Sequence, residues 1–190
     1  IEQVRNPKKR FLNRKGPLRI LIFGGSLGSK AFNLVLPSIF KKINGKNKLS
    51  IIHQSGEKMF ELLKDSYEGA DFKVETRKYI FDMEKKYNWA DIVIARSGAL
   101  TVSELIASGT ASILIPYPFA VDDHQFFNAK ILKDAGAAEI IREKDLEEKL
   151  VFSLIKLNRK KCENMALKAK GLHRYDACAE VRKVCNTLLK

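Results

Sequence analysis

Residues 90–116 read ADIVIARSGALTVSELIASGTASILIP, and this stretch decides the fold. DIVIAR (91–96) and ASILIP (111–116) are short, nearly continuous apolar runs, as expected for strands covered on both faces. Between them, residues 100–108 carry helical periodicity, and Gly109 stands where a helix C-cap belongs. Strand, helix, strand is the repeating unit of a parallel sheet.

The alternation continues in both directions. LRILIF (18–23), LSIIHQ (49–54) and DFKVET (71–76) come before it, and AAEII (137–141) after. Residues 28–43, 57–66, 81–88 and 122–135 are helical in pattern, with Gly136 at a second C-cap position. The class is therefore α/β, a Rossmann-like doubly wound parallel sheet. From residue 145 onward the pattern turns all-helical, and no internal repeat or low-complexity segment is present.

A chain of 190 residues with 45% hydrophobic content can bury one substantial core. No apolar run reaches the roughly 18 to 20 residues needed to cross a bilayer, and no signal-peptide pattern is present, so the chain reads as soluble and intracellular. The opening IEQVRNPKKR lacks an initiator Met and reads as a piece of something larger. Cys162, Cys178 and Cys185, odd in number and without CxxC spacing, read as free thiols of a reducing compartment.

The net charge of +13 resembles a nucleic-acid signal until its placement is considered. Residues 1–19 hold seven Lys/Arg against one acid, 155–190 ten against three, and 20–154 eighteen against eighteen. A neutral body with basic ends lacks the continuous stripe of a nucleic-acid groove, so no nucleic-acid partner is expected. It suits an anionic membrane surface, an acidic partner, or simply solvated helix faces.

In a doubly wound sheet, ligands sit beyond the carboxyl ends of the strands. Three loops lie there. FGGSLGSKAFN (23–33) places Gly24, Gly25 and Ser26 before a helix, where amides and a hydroxyl can receive phosphate; a tight turn with no ligand explains it equally well. Ser97-Gly98-Ala99 opens a second helix in which Thr101 to Glu104 fits a capping box, or else Glu104 accepts from ribose hydroxyls. IPYPFAVDDHQFFNAK (115–130) sets Asp122 and Asp123 in the first turn of a helix, with His124 and Gln125 at its mouth. A surface or capping role is the plainer reading of His124, and no second His or Cys at ligand spacing makes it a metal site.

Taken together, GGSLG, HQSGE (53–57), ADIVIARSGALTVSEL (90–105) and DDHQFFNA followed by AGAA resemble the carboxyl-terminal half of the MurG family, the bacterial peptidoglycan N-acetylglucosaminyltransferases. The resemblance runs from about Asn6 to the mid-140s. It implies one half of a two-domain GT-B glycosyltransferase: residues 1–17 an interdomain linker, 18–155 the UDP-GlcNAc-binding domain, and 156–190 helices packing back toward an amino-terminal domain. It also implies a peripheral enzyme at the cytoplasmic face of the bacterial inner membrane, needing no cofactor, whose product serves cell-wall synthesis and hence cell shape and division.

By motif position, the resemblance assigns the diphosphate to Ser26 and its loop amides, and the uracil edge to the backbone of Ile80. Ala99, Leu100, Thr101, Val102, Ser103 and Glu104 would line the nucleotide, with Glu104 on the ribose, and Gln125 would hold the GlcNAc ring. Lys9 stands where the family has a phosphate-proximal Arg, Leu27 where Gln is usual, and His124 where Gln is common. The catalytic base is expected in the other half, along with the lipid-linked acceptor. A non-catalytic sugar-nucleotide-binding module, or half of a related epimerase, is the alternative.

Overall fold

The computed structural model describes residues 4, 6–43, 49–174 and 177–188, without the side chains of 177, 178 and 180. Six strands, β1 (Leu18–Phe23), β2 (Leu49–Gln54), β3 (Lys73–Arg77), β4 (Ile92–Ala95), β5 (Ser112–Leu114) and β6 (Ala138–Ile140), form one sheet in the order β3-β2-β1-β4-β5-β6. Every neighbouring pair is parallel. β1 and β2 coincide with their apolar runs. β4 is shorter than its run: Asp91 and Arg96 flank it, and their side chains bind Arg14 and Glu143.

The helices are α1 (Pro7–Phe11), α2 (Lys30–Ile43), α3 (Phe60–Ser66), α4 (Met83–Trp89), α5 (Ala99–Ser108), α6 (His124–Asp134), α7 (Leu146–Ile155), α8 (Arg159–Gly171) and α9 (Ala177–Leu188). The helix expected over 122–135 begins only at His124. Asp122 and Asp123 adopt left-handed φ of 49° and 53°, which places them in a separate 3-10 turn.

Because successive strand residues point to opposite faces, the buried apolar strands feed two cores. Ile20, Ile22, Ile51, Ile94 and Ile113 pack beneath α2, α3, α7 and α8, whereas Leu21, Phe23, Ile52, Val93 and Leu114 pack against α4, α5 and α6. Each such side chain taken fully out of water contributes about 1.5–3 kcal/mol, so this two-sided burial is what keeps the sheet intact.

Within the segment read as a linker, residues 6–14 pack on this domain. Asn6 accepts from the Lys8 amide (3.0 Å), and Pro7 starts α1, which packs on α8. Arg10 is only 4% exposed and donates to the carbonyls of Ser108 (3.2 Å) and Gly109 at the end of α5; burial pulls its guanidinium down to about 10. Fully buried Asp91 accepts from Arg14 (2.7 Å), Arg159 (3.2 Å) and the Arg19 amide (3.0 Å). Arg10 and Arg14 of the first basic end and Arg159 of the second thus lie at the amino-terminal edge of the sheet, where their charge serves the fold. Of the cysteines, Cys162 is buried and Cys185 exposed, both free; the side chain of Cys178 lies outside the described residues. Among the described residues, no helix is long and apolar enough to cross a membrane.

Candidate functional site

The strand order reverses between β1 and β4, and at their carboxyl ends a crevice of about 800 Å³ opens. Its walls are the loop 24–29, the start of α5, and the loop around Tyr117 and Gln125. The Gly-rich loop is a tight turn, with the Gly28 amide donating to the Gly25 carbonyl (3.0 Å). Its shape depends on a backbone-to-backbone contact. A Cβ on Gly28 (φ +77°) would meet the Ser55 carbonyl oxygen at 1.8 Å, and one on Gly56 would meet the Leu27 oxygen at 2.0 Å. GGSLG and HQSGE are therefore two faces of one contact, which leaves Gly25 and Ser26 exposed at the tip.

At the α5 start the capping-box expectation fails. The N-cap is Gly98, with no side-chain cap, so Thr101 is the third helical residue rather than the cap. Glu104 does not reach back; its Oε2 accepts from the hydroxyl of buried Tyr87 on α4 (2.8 Å). That hydroxyl is raised well above its ordinary pKa by burial and then by the Glu104 charge. The amides of Ala99, Leu100 and Thr101 precede the first intrahelical bond, which is donated by Val102 to the Gly98 carbonyl (3.0 Å).

The structure brings Gly24, Gly25, Ser26, Thr101 and Gln125 to the crevice. Val102 is buried in the core and turns its side chain away from it. Ala99, Leu100 and Ser103 are exposed beside it. Ile80 is buried, its amide donating to Gln54 Oε1 (3.0 Å), while Gln54 Nε2 donates to the Gly25 carbonyl (2.7 Å). Gln54 thus ties the Ile80 loop to the Gly-rich loop. His124 is exposed, its Nδ1 2.8 Å from the Val121 carbonyl of its own turn, which fits the capping reading. Lys9 is not brought to this crevice: α1 lies at the opposite, amino-terminal edge, where its neighbour Arg10 binds the far end of α5.

Sequence reasoning passed over Arg96, Ser29 and Glu143. Ser29 caps α2 through the Phe32 amide (3.4 Å) and also accepts from Arg96 (2.9 Å), which pairs with Glu143 as well. The available signal was an arginine closing an otherwise apolar strand, directly before Ser97-Gly98. Asp123 is held by the fork of Arg142 (2.8 and 2.7 Å), which keeps its carboxyl below the usual range.

A doubly wound sheet in 3-2-1-4-5-6 order, with a Gly-rich turn and an uncapped helix start facing each other at the switch point, defines a domain of the Rossmann-like class. The Glycosyltransferase family 28 C-terminal domain matches residues 19–181, and the chain belongs to that family. It is 39% identical, over its whole length, to the UDP-N-acetylglucosamine--N-acetylmuramyl-(pentapeptide) pyrophosphoryl-undecaprenol N-acetylglucosamine transferase of Dechloromonas aromatica, and 44% to that of Wigglesworthia glossinidia brevipalpis. The chain spans about half of those relatives, 54% and 53% of their lengths. The crystal structure of Acinetobacter baumannii MurG superposes with a TM-score of 0.89 at 35% identity, covering 98% of this chain and 54% of that one.

Proposed function

We propose that this chain is the donor-binding half of an inverting glycosyltransferase that moves GlcNAc from UDP-GlcNAc to a lipid-linked muramoyl-pentapeptide in peptidoglycan synthesis. The observation that carries the reading is the crevice itself, where a phosphate-sized Gly-rich turn, an uncapped helix start and the Gln125 side chain converge. In this reading the diphosphate sits between Ser26, its loop amides and the α5 amides of Ala99 to Thr101. The backbone near Ile80 reads uracil, Glu104 the ribose, and Gln125 the sugar. As the acceptor hydroxyl displaces UDP at the anomeric carbon, negative charge grows on the leaving diphosphate, and fixed amides aimed at it lower the barrier.

Residues 1–17 lead to the other half, 18–155 bind the donor and 156–190 carry helices back toward that half, which supplies the base and the acceptor site. The partner surface is anionic lipid on the cytoplasmic leaflet. Lys8, Lys9 and Lys160 are among the exposed cations of the two ends, Lys160 lying 3.7 Å from Glu163, whereas Arg10 is buried and Lys161 is paired with Glu139 at 2.7 Å. Each exposed lysine contributes about 1 kcal/mol at most.

Titration calorimetry of the chain with UDP-GlcNAc, UDP, NAD and a DNA duplex tests the assignment. Selective uridine-nucleotide binding is expected, without transfer to a lipid acceptor by this chain alone. Binding of DNA with no nucleotide binding refutes it.

A further inference from the structure

We propose that Arg96 is a positioning residue for sugar recognition: it fixes the Pro116–Tyr117 backbone so that the Tyr117 amide holds the Gln125 side chain in one orientation, with only its NH₂ offered to the donor sugar. The inference rests on the reading of the crevice as a sugar-nucleotide site and adds how that site is set.

Arg96 closes β4 at the floor of the crevice, and its side chain is 11% exposed. Its Nη1 donates to the carbonyls of Ile115 and Pro116, each at 3.2 Å, where the chain leaves β5. Its Nη2 donates to Ser29 Oγ at the head of α2 (2.9 Å) and to the Glu143 carboxylate just past β6. The guanidinium lies over the Phe32 ring (4.6 Å) and reaches the Tyr117 ring (5.5 Å). One planar fork therefore joins the exits of β5 and β6 to the phosphate-side helix, a geometry that a lysine's single ammonium does not reproduce.

The consequence falls on Gln125. The Tyr117 amide donates to Gln125 Oε1 at 3.0 Å, and since an N–H requires an acceptor, the amide of Gln125 has one allowed orientation. Ser97 Oγ holds the Gln125 carbonyl (2.8 Å), and Asn128 Nδ2 donates to the Ser97 carbonyl (3.2 Å), so the residue's backbone is held by side chains other than that of Arg96. What Arg96 adds is the place of the Pro116–Tyr117 peptide, and with it the side-chain orientation. A sugar group facing Gln125 Nε2 must accept a hydrogen bond, as a hydroxyl or an acetamido carbonyl does.

The test compares wild type, Arg96→Lys, Gln125→Ala and the double variant by calorimetry with UDP and UDP-GlcNAc, and by amide hydrogen exchange at Tyr117. For Arg96→Lys, UDP-GlcNAc affinity is expected to fall about tenfold further than UDP affinity, the scale of one hydrogen bond, and Tyr117 exchange to accelerate. The double variant should bind UDP-GlcNAc no worse than Gln125→Ala. Equal loss of UDP and UDP-GlcNAc, additive losses in the double variant, or unchanged Tyr117 exchange overturns the proposal. If wild type binds neither nucleotide, the site reading fails; wild-type binding with any of the preceding three results sinks the Arg96 inference alone.

Discussion

Replacing Glu104 separates a helix-stabilising acid from a ribose ligand. The carboxylate sits in the second turn of α5 with Oε2 engaged by the Tyr87 hydroxyl at 2.8 Å, and the Tyr87 ring is fully buried. Glu104→Ala removes a charged acceptor from that hydroxyl, worth about 1.5–3 kcal/mol of stability, or roughly 3–12 °C of melting temperature for a chain of this size. Glu104→Gln keeps an acceptor oxygen facing Tyr87, so its melting temperature should stay within about 3 °C. Affinity should respond differently. If Glu104 Oε1 takes a ribose hydroxyl, Glu104→Gln loses the charge-assisted part of that bond, about 1.4 kcal/mol or tenfold in UDP dissociation constant, and Glu104→Ala about a hundredfold. Calorimetry with UDP and 2′-deoxyuridine diphosphate isolates the contact: wild type prefers the ribonucleotide, and Glu104→Ala erases the preference. A folded Glu104→Ala that binds UDP as wild type does, with the same ribo-to-deoxy ratio, refutes the ribose role and leaves Glu104 as the partner of Tyr87.

Gly28→Ala should destabilise by about 2–4 kcal/mol, combining left-handed strain with the 1.8 Å clash against Ser55, whereas Gly25→Ala, with φ +90° but no atom within 4 Å, should cost only about 1 kcal/mol; equal shifts in thermal melts contradict the interlocked-loop account. Asp91→Asn leaves Arg14 and Arg159 without their buried counter-charge and should cost about 3–5 kcal/mol while speeding tryptic cleavage after Arg14; an unchanged melting temperature removes the staple. His53 is fully buried, its Nδ1 3.0 Å from the Tyr67 hydroxyl and its Nε2 without a partner among the described residues, and burial lowers its pKa from 6.5 to about 3. The unfolded chain therefore takes up the proton first, so this share of stability is complete above pH 6.5 and drains away as pH falls toward about 3; His53→Gln should flatten that slope in melts across the range, and an identical slope shows that other groups set it.

The apolar runs made the strands legible because burial on both faces leaves little freedom in composition. Leu18–Phe23 and Leu49–Gln54 match their runs to the residue. Helix starts were less legible, because a cap is decided by where the chain turns. Thr101 and Glu104 have the spacing of a capping box, yet the turn at Gly98 starts the helix three residues earlier than such a box requires. Asp122 and Asp123 suit a first helical turn by charge, but their left-handed backbone and the Arg142 fork, 19 residues away, place them before it. Arg96 was overlooked because all its partners, Ser29, Ile115, Pro116 and Glu143, are distant in sequence, so no local pattern betrays a fork joining them.

The charge count was incomplete for a related reason. A count assigns Arg10, Arg14, Arg159 and Lys161 to surface potential, whereas the fold uses each one: two on Asp91, one on the carbonyls ending α5, and one on Glu139. The crevice is the converse case. Its lining cations are Arg96, already engaged by Glu143, and exposed Lys30 at the start of α2. An anion placed there meets chiefly peptide amides, whose dipoles are fixed by the sheet and by the Gly28–Ser55 contact. Such donors need no rearrangement as charge develops, whereas a mobile lysine must be ordered first. Arg10, Arg14 and Arg159 therefore lie at the end of the sheet that holds the domain together, and the crevice end is built chiefly from backbone donors fixed by the fold.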